Sequence, residues 1–211
     1  MFAVVMEPKM KQKKKITPPK TFNYLNNESS PLEDIEECRS PACVAEKLSA
    51  HVMPYKANSP FVKLIILGIL AGVYIGFGAE VSTIVGHDIK GYLGVGMSKL
   101  IVGMAFSGGL MMVVLAGGEL FTSNVLISLS VLEKKSRFKD LLRNWSIVYG
   151  ANLIGAIILS VIIFYTGLWK QHDLLTGVYA LKIATAKVNL SFIEAFSRGI
   201  LCNWLVCLAI W

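Results

Sequence analysis

"LAGGELFTSNVLISL", residues 115–129, decides how this chain folds. Apolar runs flank it on both sides, yet it carries two glycines, a glutamate, an asparagine and several hydroxyls. From Leu100 to Leu132 the sequence is otherwise apolar, and one straight helix of that length would measure about 50 Å, well beyond the ~30 Å hydrocarbon core of a bilayer. The segment must therefore break. Gly117 and Gly118 are the natural place, because glycine adopts the backbone angles that end a helix and begin a loop. Non-helical backbone at membrane depth survives only where protein buries it or where it lines a polar cavity. The stretch predicts a half-helix, a re-entrant loop over Gly117, Gly118, Glu119, Leu120, Phe121, Thr122, Ser123 and Asn124, and a second half-helix beginning near Ser123.

The rest of the chain agrees with a bilayer environment. Of its 211 residues 54% are hydrophobic, and the mean hydropathy of +0.57 is too high for an ordinary soluble domain. A net charge of +7 would suggest nucleic acid in a soluble protein. Here the basic residues sit in the N-terminal tail and between apolar spans, a distribution that sets orientation and gives no nucleic-acid partner. Spans are expected over Phe61–Val85, across the broken second segment, from about Trp145 to Leu168, and from about Ser191 to Trp211. Gly68, Gly72, Gly76 and Gly78 put small residues along one side of the first span, for close helix packing. The basic connection "EKKSRFKDLLRN" is cytoplasmic by the positive-inside bias, and two crossings before it place the N-terminus in the cytoplasm of a plasma (inner) membrane.

Residues 1–38 read as a disordered cytoplasmic tail: "KMKQKKKITPPK" leads into a polar stretch where a signal peptide would be apolar. Residues 39–59 read as a short amphipathic helix on the membrane surface, capped by Ser40 or Ser49 and ended by Pro54, plus a linker. Residues 60–211 form the transmembrane domain. Neither Cys38 and Cys43 nor Cys202 and Cys207 have C-x-x-C spacing, so inert thiols are expected, with no metal and no cofactor. "KLIILGILAG" near the start of the first span is echoed by "EAFSRGILCN" near the start of the fourth, which enters from the opposite face. An inverted repeat is the economical reading. The apolar run that stops at Trp211 suggests a fragment.

Two readings of the loop stay open on the residues alone. One is a helix kink satisfied internally by serine and threonine. The other is an anion path: a broken helix presents free N–H groups, Thr122 and Ser123 add hydroxyls, Leu120 and Phe121 occlude, and Glu119 points away, accepting loop N–H groups. Glu194 and Arg198, four apart, are read as a structural ion pair.

"GGELFTSNVL", "RNWSIVYGANLIGA" and "AKVNLSFIEAFSRGILCNWLVCLAIW", in this order, resemble the formate/nitrite transporter family over about Ser40 to Trp211. The resemblance implies an all-α multi-pass membrane protein with an aquaporin-like inverted-repeat fold, about four of six transmembrane helices being present and the second broken by the re-entrant loop. It implies a homopentamer and transport of small monovalent anions of weak acids, formate or nitrite, with hydrosulfide, acetate or lactate as the alternative substrates within the family and a proton as partner. It puts Thr122 at the pore centre, Phe106, Leu110, Leu120 and Phe121 at apolar constrictions, Lys187 in the outer vestibule and Asn203 in the fourth span. The family's central histidine falls beyond Trp211; His51, His87 and His172 lie in the tail or external loops and do not replace it. An enzyme is not expected, since no histidine lies in a span. A non-conducting membrane scaffold, or the relic of a truncated gene, is the alternative.

Overall fold

The structure, a computed structural model, describes residues 40–211. The tail expected over residues 1–38 lies outside them. The described residues form helices: α1 (Pro41–Lys47), α2 (Met53–Ala57), α3 (Phe61–Gly86), α4 (Ile89–Leu115), α5 (Phe121–Asn124), α6 (Ile127–Leu132), α7 (Phe138–Thr166), α8 (Leu175–Val188) and α9 (Phe192–Ile210). Four of them, α3, α4, α7 and α9, are long and apolar enough to cross a membrane. The protein is a multi-pass membrane protein, and its second span breaks where the glycines predicted.

α3 packs along both α4 and α7. Its glycines make this possible, though on two sides and not the expected one. Gly68, Gly72 and Gly76 meet α7, whereas Gly78 meets α4 at the Phe106 carbonyl and Gly109. A Cβ on Gly72 would overlap the Asn152 carbonyl, and one on Gly155 of α7 would overlap the carbonyl of Ile69. The two backbones therefore touch, with no side chain between them. In lipid, where apolar burial between helices gains little, such close van der Waals packing and hydrogen bonding hold the spans together.

Three expectations need correction. The N-terminal segment does not end at Pro54, which follows a π turn at Leu48–Val52 whose widened ladder tolerates the missing N–H. Nor does its apolar face lie on lipid: Leu48, Met53 and Ala57 are buried against Leu126 and Ile127 at the α6 end and Leu141 of α7. Ser40 does cap it, accepting a bond from the Cys43 amide at 3.2 Å. The third span begins at Phe138, seven residues before Trp145, because Arg137 grips Asp140 in the first turn (2.9 and 3.2 Å) and makes a helix start of part of the basic connection. It ends at Gly167, whose φ of 73° is the left-handed cap glycine supplies readily.

Glu194 and Arg198 are not joined in a close ion pair. Glu194 instead closes a capping box with Ser191 at the start of α9, its carboxylate accepting the Ser191 amide at 3.0 Å. Cys43 is disulfide-bonded and so is not the inert thiol expected, while Cys202 and Cys207 are free.

Candidate functional site

α4 ends at Leu115, Gly117 turns the chain with φ of 70°, and α5 starts at Phe121. The intervening backbone is tied down by its neighbours. The Glu119 amide donates to the Leu67 carbonyl of α3 at 3.2 Å. Asn152 of α7 bridges the rest: its amide nitrogen donates to the carbonyls of Gly68 (2.8 Å) and Glu119 (2.9 Å), and its oxygen accepts the Phe121 amide at 2.9 Å. One asparagine thus satisfies both sides of a loop that would otherwise leave bare backbone in hydrocarbon.

Beneath the loop lies a buried polar cluster. Glu119, 4% exposed, and Asn124 and Asn144, both fully buried, meet the ammonium of Lys56 from α2. Lys56 donates to Glu119 Oε2 and to Asn124 Oδ1, each at 3.2 Å. Asn124 donates to Glu119 Oε2 (2.8 Å) and Asn144 Oδ1 (2.9 Å), and Asn144 donates back to the Lys56 carbonyl at 3.0 Å. Trp145 Nε1 closes the cluster on the Asn124 carbonyl at 3.0 Å. Glu119 is expected from the sequence to accept loop N–H groups. It takes a cation and an amide, however, and the Phe121 N–H goes to Asn152.

The first turn of α5 is nearly saturated. The amides of Ser123 and Asn124 donate to the Leu120 carbonyl (3.1 and 3.0 Å), and the Ser123 hydroxyl donates to the same carbonyl at 2.8 Å. Ser123 is therefore buried and committed, and the hydroxyl expected of it at the site is not free. Thr122 differs: neither its amide nor its hydroxyl hydrogen-bonds among the described residues, while its carbonyl accepts from the Cys207 thiol of α9 at 3.5 Å. Thr122 lines a cavity of about 570 Å³ with Leu120, Phe121 and faces of α3 and α7.

Leu120 packs on Ala71 and Val113, with Leu110 and Val206 beside it. Phe121 stands edge-on to Trp145 and Tyr149, with ring centroids 5.9 and 5.5 Å apart. Leu110, Leu120, Phe121 and Thr122 thus cluster around the loop. Phe106 is exposed on α4, one turn from Leu110. Asn203 keeps a buried Oδ1 with no partner among the described residues. Lys187 is exposed in the last turn of α8 and is not among the residues that line the cavity.

The stretch that holds the loop and its flanking helices is similar to known proteins. Residues 43–211 match the family model described as formate/nitrite transporter. The chain belongs to the formate/nitrite transporter family. It is 36% identical over 188 residues to a probable formate transporter of Methanothermobacter thermautotrophicus, covering 82% of this chain and 68% of that protein. It is 37% identical over 171 residues to the formate channel FocA of Escherichia coli, covering 81% of this chain and 59% of that one. A solved structure described as a pentameric formate channel with formate bound superposes with a TM-score of 0.64 at 39% identity, over 72% of this chain and 59% of that chain. The chain thus spans about three fifths to two thirds of the length of these formate/nitrite transporter relatives.

Reading the sequence missed Lys56, Asn144 and Asn152. A signal for the asparagines existed: they lie eight apart in an otherwise apolar span, hence on nearly one face, where an amide in hydrocarbon needs a partner. Nothing local marked Lys56, whose "YKANSP" setting reads as linker.

Proposed function

We propose that this chain supplies one half of a membrane path for small monovalent anions of weak acids, formate or nitrite, in a homopentamer. The observation that carries the reading is Thr122: at the one loop residue facing the cavity with both donors free, an anion would meet an amide and a hydroxyl. Backbone N–H groups and hydroxyls aimed at one point replace part of a lost hydration shell without adding a fixed charge. Leu110, Leu120 and Phe121 beside it form the apolar constriction, with Phe106 one turn further along α4. Across such a dry zone a bare charge costs far more than a neutral acid, so a proton that joins the anion lowers the barrier. Lys187 raises the anion concentration at the outer mouth, and in this reading Asn203, whose buried Oδ1 has no partner among the described residues, belongs to the same path. The positive-inside bias supports a plasma membrane setting with the N-terminus in the cytoplasm.

The test is uptake of labelled formate and of nitrite by the full-length protein in liposomes. Thr122→Val removes one hydrogen bond to a charged ligand, about 1.5–3 kcal/mol, so uptake should fall about tenfold or more with the oligomer intact. Unchanged uptake would sink the assignment of Thr122. No uptake by the native protein in either gradient direction, with the oligomer assembled, would favour a non-conducting scaffold.

A further inference from the structure

A second cavity, of about 550 Å³, adjoins the one that Thr122 lines, and the two share Glu80, Thr83, Ser160 and Ile163. Its wall is made by α3, by the end of α7 with the turn after it, and by the face of α8 that carries Gly177, Leu181 and Ala184. The volume lies within the ~300–1,000 Å³ of ordinary small-molecule sites. Most of the wall is apolar, with the rings of Phe164 and Trp169 stacked at 5.8 Å between centroids.

Glu80 is the one charged side chain among the described residues that line this cavity. It stands six residues before the end of α3, about 9 Å inside the span. Half-buried there, its carboxylate makes no hydrogen bond or ion pair among the described residues. Lys170 Nζ lies 5.3 Å from the centroid of the Trp169 ring and makes no ion pair with Glu80. An ionisable group inside a span is costly unless it is paired or meets a polar space. The other polar side chains of the wall do not supply the missing donor. Thr83 Oγ1 and Ser160 Oγ donate to the Ala79 and Ala156 carbonyls of their own helices, each at 2.8 Å, and Trp169 Nε1 donates to the Phe164 carbonyl at 3.1 Å. With their protons spent, the two hydroxyls offer only lone pairs. Thr176 is 2% exposed, and its buried Oγ1 has no partner among the described residues. The side chains of the wall are thus rich in acceptors, and the Thr176 hydroxyl is their one uncommitted donor.

We infer that this cavity binds a small organic ammonium ion, a primary amine with an apolar body. The ammonium group brings three donors and the positive charge that Glu80 lacks, and the body covers the apolar wall around Phe164 and Leu181. A carboxylate ligand would meet Glu80 as a like charge, and a lipid chain would leave both Glu80 and Thr176 without a partner. A metal ion would find a single carboxylate, since no group of three metal-ligating side chains exists among the described residues. Leu174, which borders the cavity, is exposed, so the ligand enters beside the turn before α8. Bound there, it joins α3 to α8. The inference does not depend on what the protein transports.

The test measures binding of radiolabelled 2-phenylethylamine to the full-length protein in nanodiscs at pH 7.5, with protein-free nanodiscs correcting for partition into lipid. Binding should saturate at one molecule per protomer. 2-Phenylethanol, which has the same body and no charge, should compete at least about tenfold more weakly, as expected when a hydrogen bond between charged groups is missing. Glu80→Gln should weaken binding of the amine by about tenfold or more, and Thr176→Val by severalfold, with native thermal midpoints. Binding that does not saturate above lipid partition, or equal competition by amine and alcohol, would overturn the site. Native affinity in a folded Glu80→Gln would overturn it as well. The comparison of amine with alcohol uses the native protein, so it decides even where a variant fails to fold.

Discussion

A lysine in a linker and a glutamate in an apolar span become partners because each is intolerable alone where the fold puts it. Glu119 is nearly buried, and removing its cation strands a carboxylate in a medium that solvates it poorly. Lys56→Met should therefore cost about 3–5 kcal/mol, the range for breaking one side of a buried pair. Lys56→Met combined with Glu119→Gln should recover much of it, because the neutral amide still bonds Asn124. The check is the unfolding midpoint of all three variants in detergent. Additive losses, with the double variant the least stable, would mean that Lys56 and Glu119 contribute separately. The sequence showed Glu119 as an oddity and left its partner open, since the two are brought together only by the docking of α2 under the loop. Thr122 was legible in a different way: its chemistry stood out in the sequence, but only the structure shows that Ser123 beside it is spent on backbone while Thr122 is not.

At the scale of elements, the seam between α3 and α7 depends on backbone contact. Ala in place of Gly72 would put its Cβ into the Asn152 carbonyl, and both helices would have to part. Asn152 also holds the loop, so the strain reaches the site. Gly72→Ala should cost about 1–3 kcal/mol or more. Gly150→Ala, where a Cβ would meet nothing within 4 Å, should be neutral or slightly stabilising, since alanine is the better helix former. Equal thermal midpoints for the two variants would remove the close-packed seam from the account. The broken second span was readable because a length argument is independent of packing: too many apolar residues for one crossing, and two glycines to break them. The N-terminal helix was misread for the complementary reason. An amphipathic pattern announces that one face is buried and is silent on whether lipid or protein covers it, and here Leu126, Ile127 and Leu141 do.

For the whole molecule, the echo between the first and fourth spans reaches further than the helices. The register that lays residues 63–72 over 194–203 also lays Phe61 over Phe192, Asn58 over Asn189 and Lys56 over Lys187. In the first copy the lysine is half-buried in an amide and carboxylate cluster under a broken helix. In the second copy Lys187 is exposed, and its ammonium makes no hydrogen bond or ion pair among the described residues. If the repeat extends to function, Lys187 in the full-length protein meets a matching carboxylate and amide beneath a second loop, and its chief effect is on folding. If it serves only to gather anions at the mouth, its loss leaves folding untouched. Lys187→Ala separates the two. A midpoint lowered by several degrees, with uptake reduced alike at low and saturating formate, is the outcome expected of the repeat, since a stranded buried carboxylate weakens the whole fold. A native midpoint with uptake lost only at low formate would instead leave Lys187 as a surface charge that concentrates its substrate.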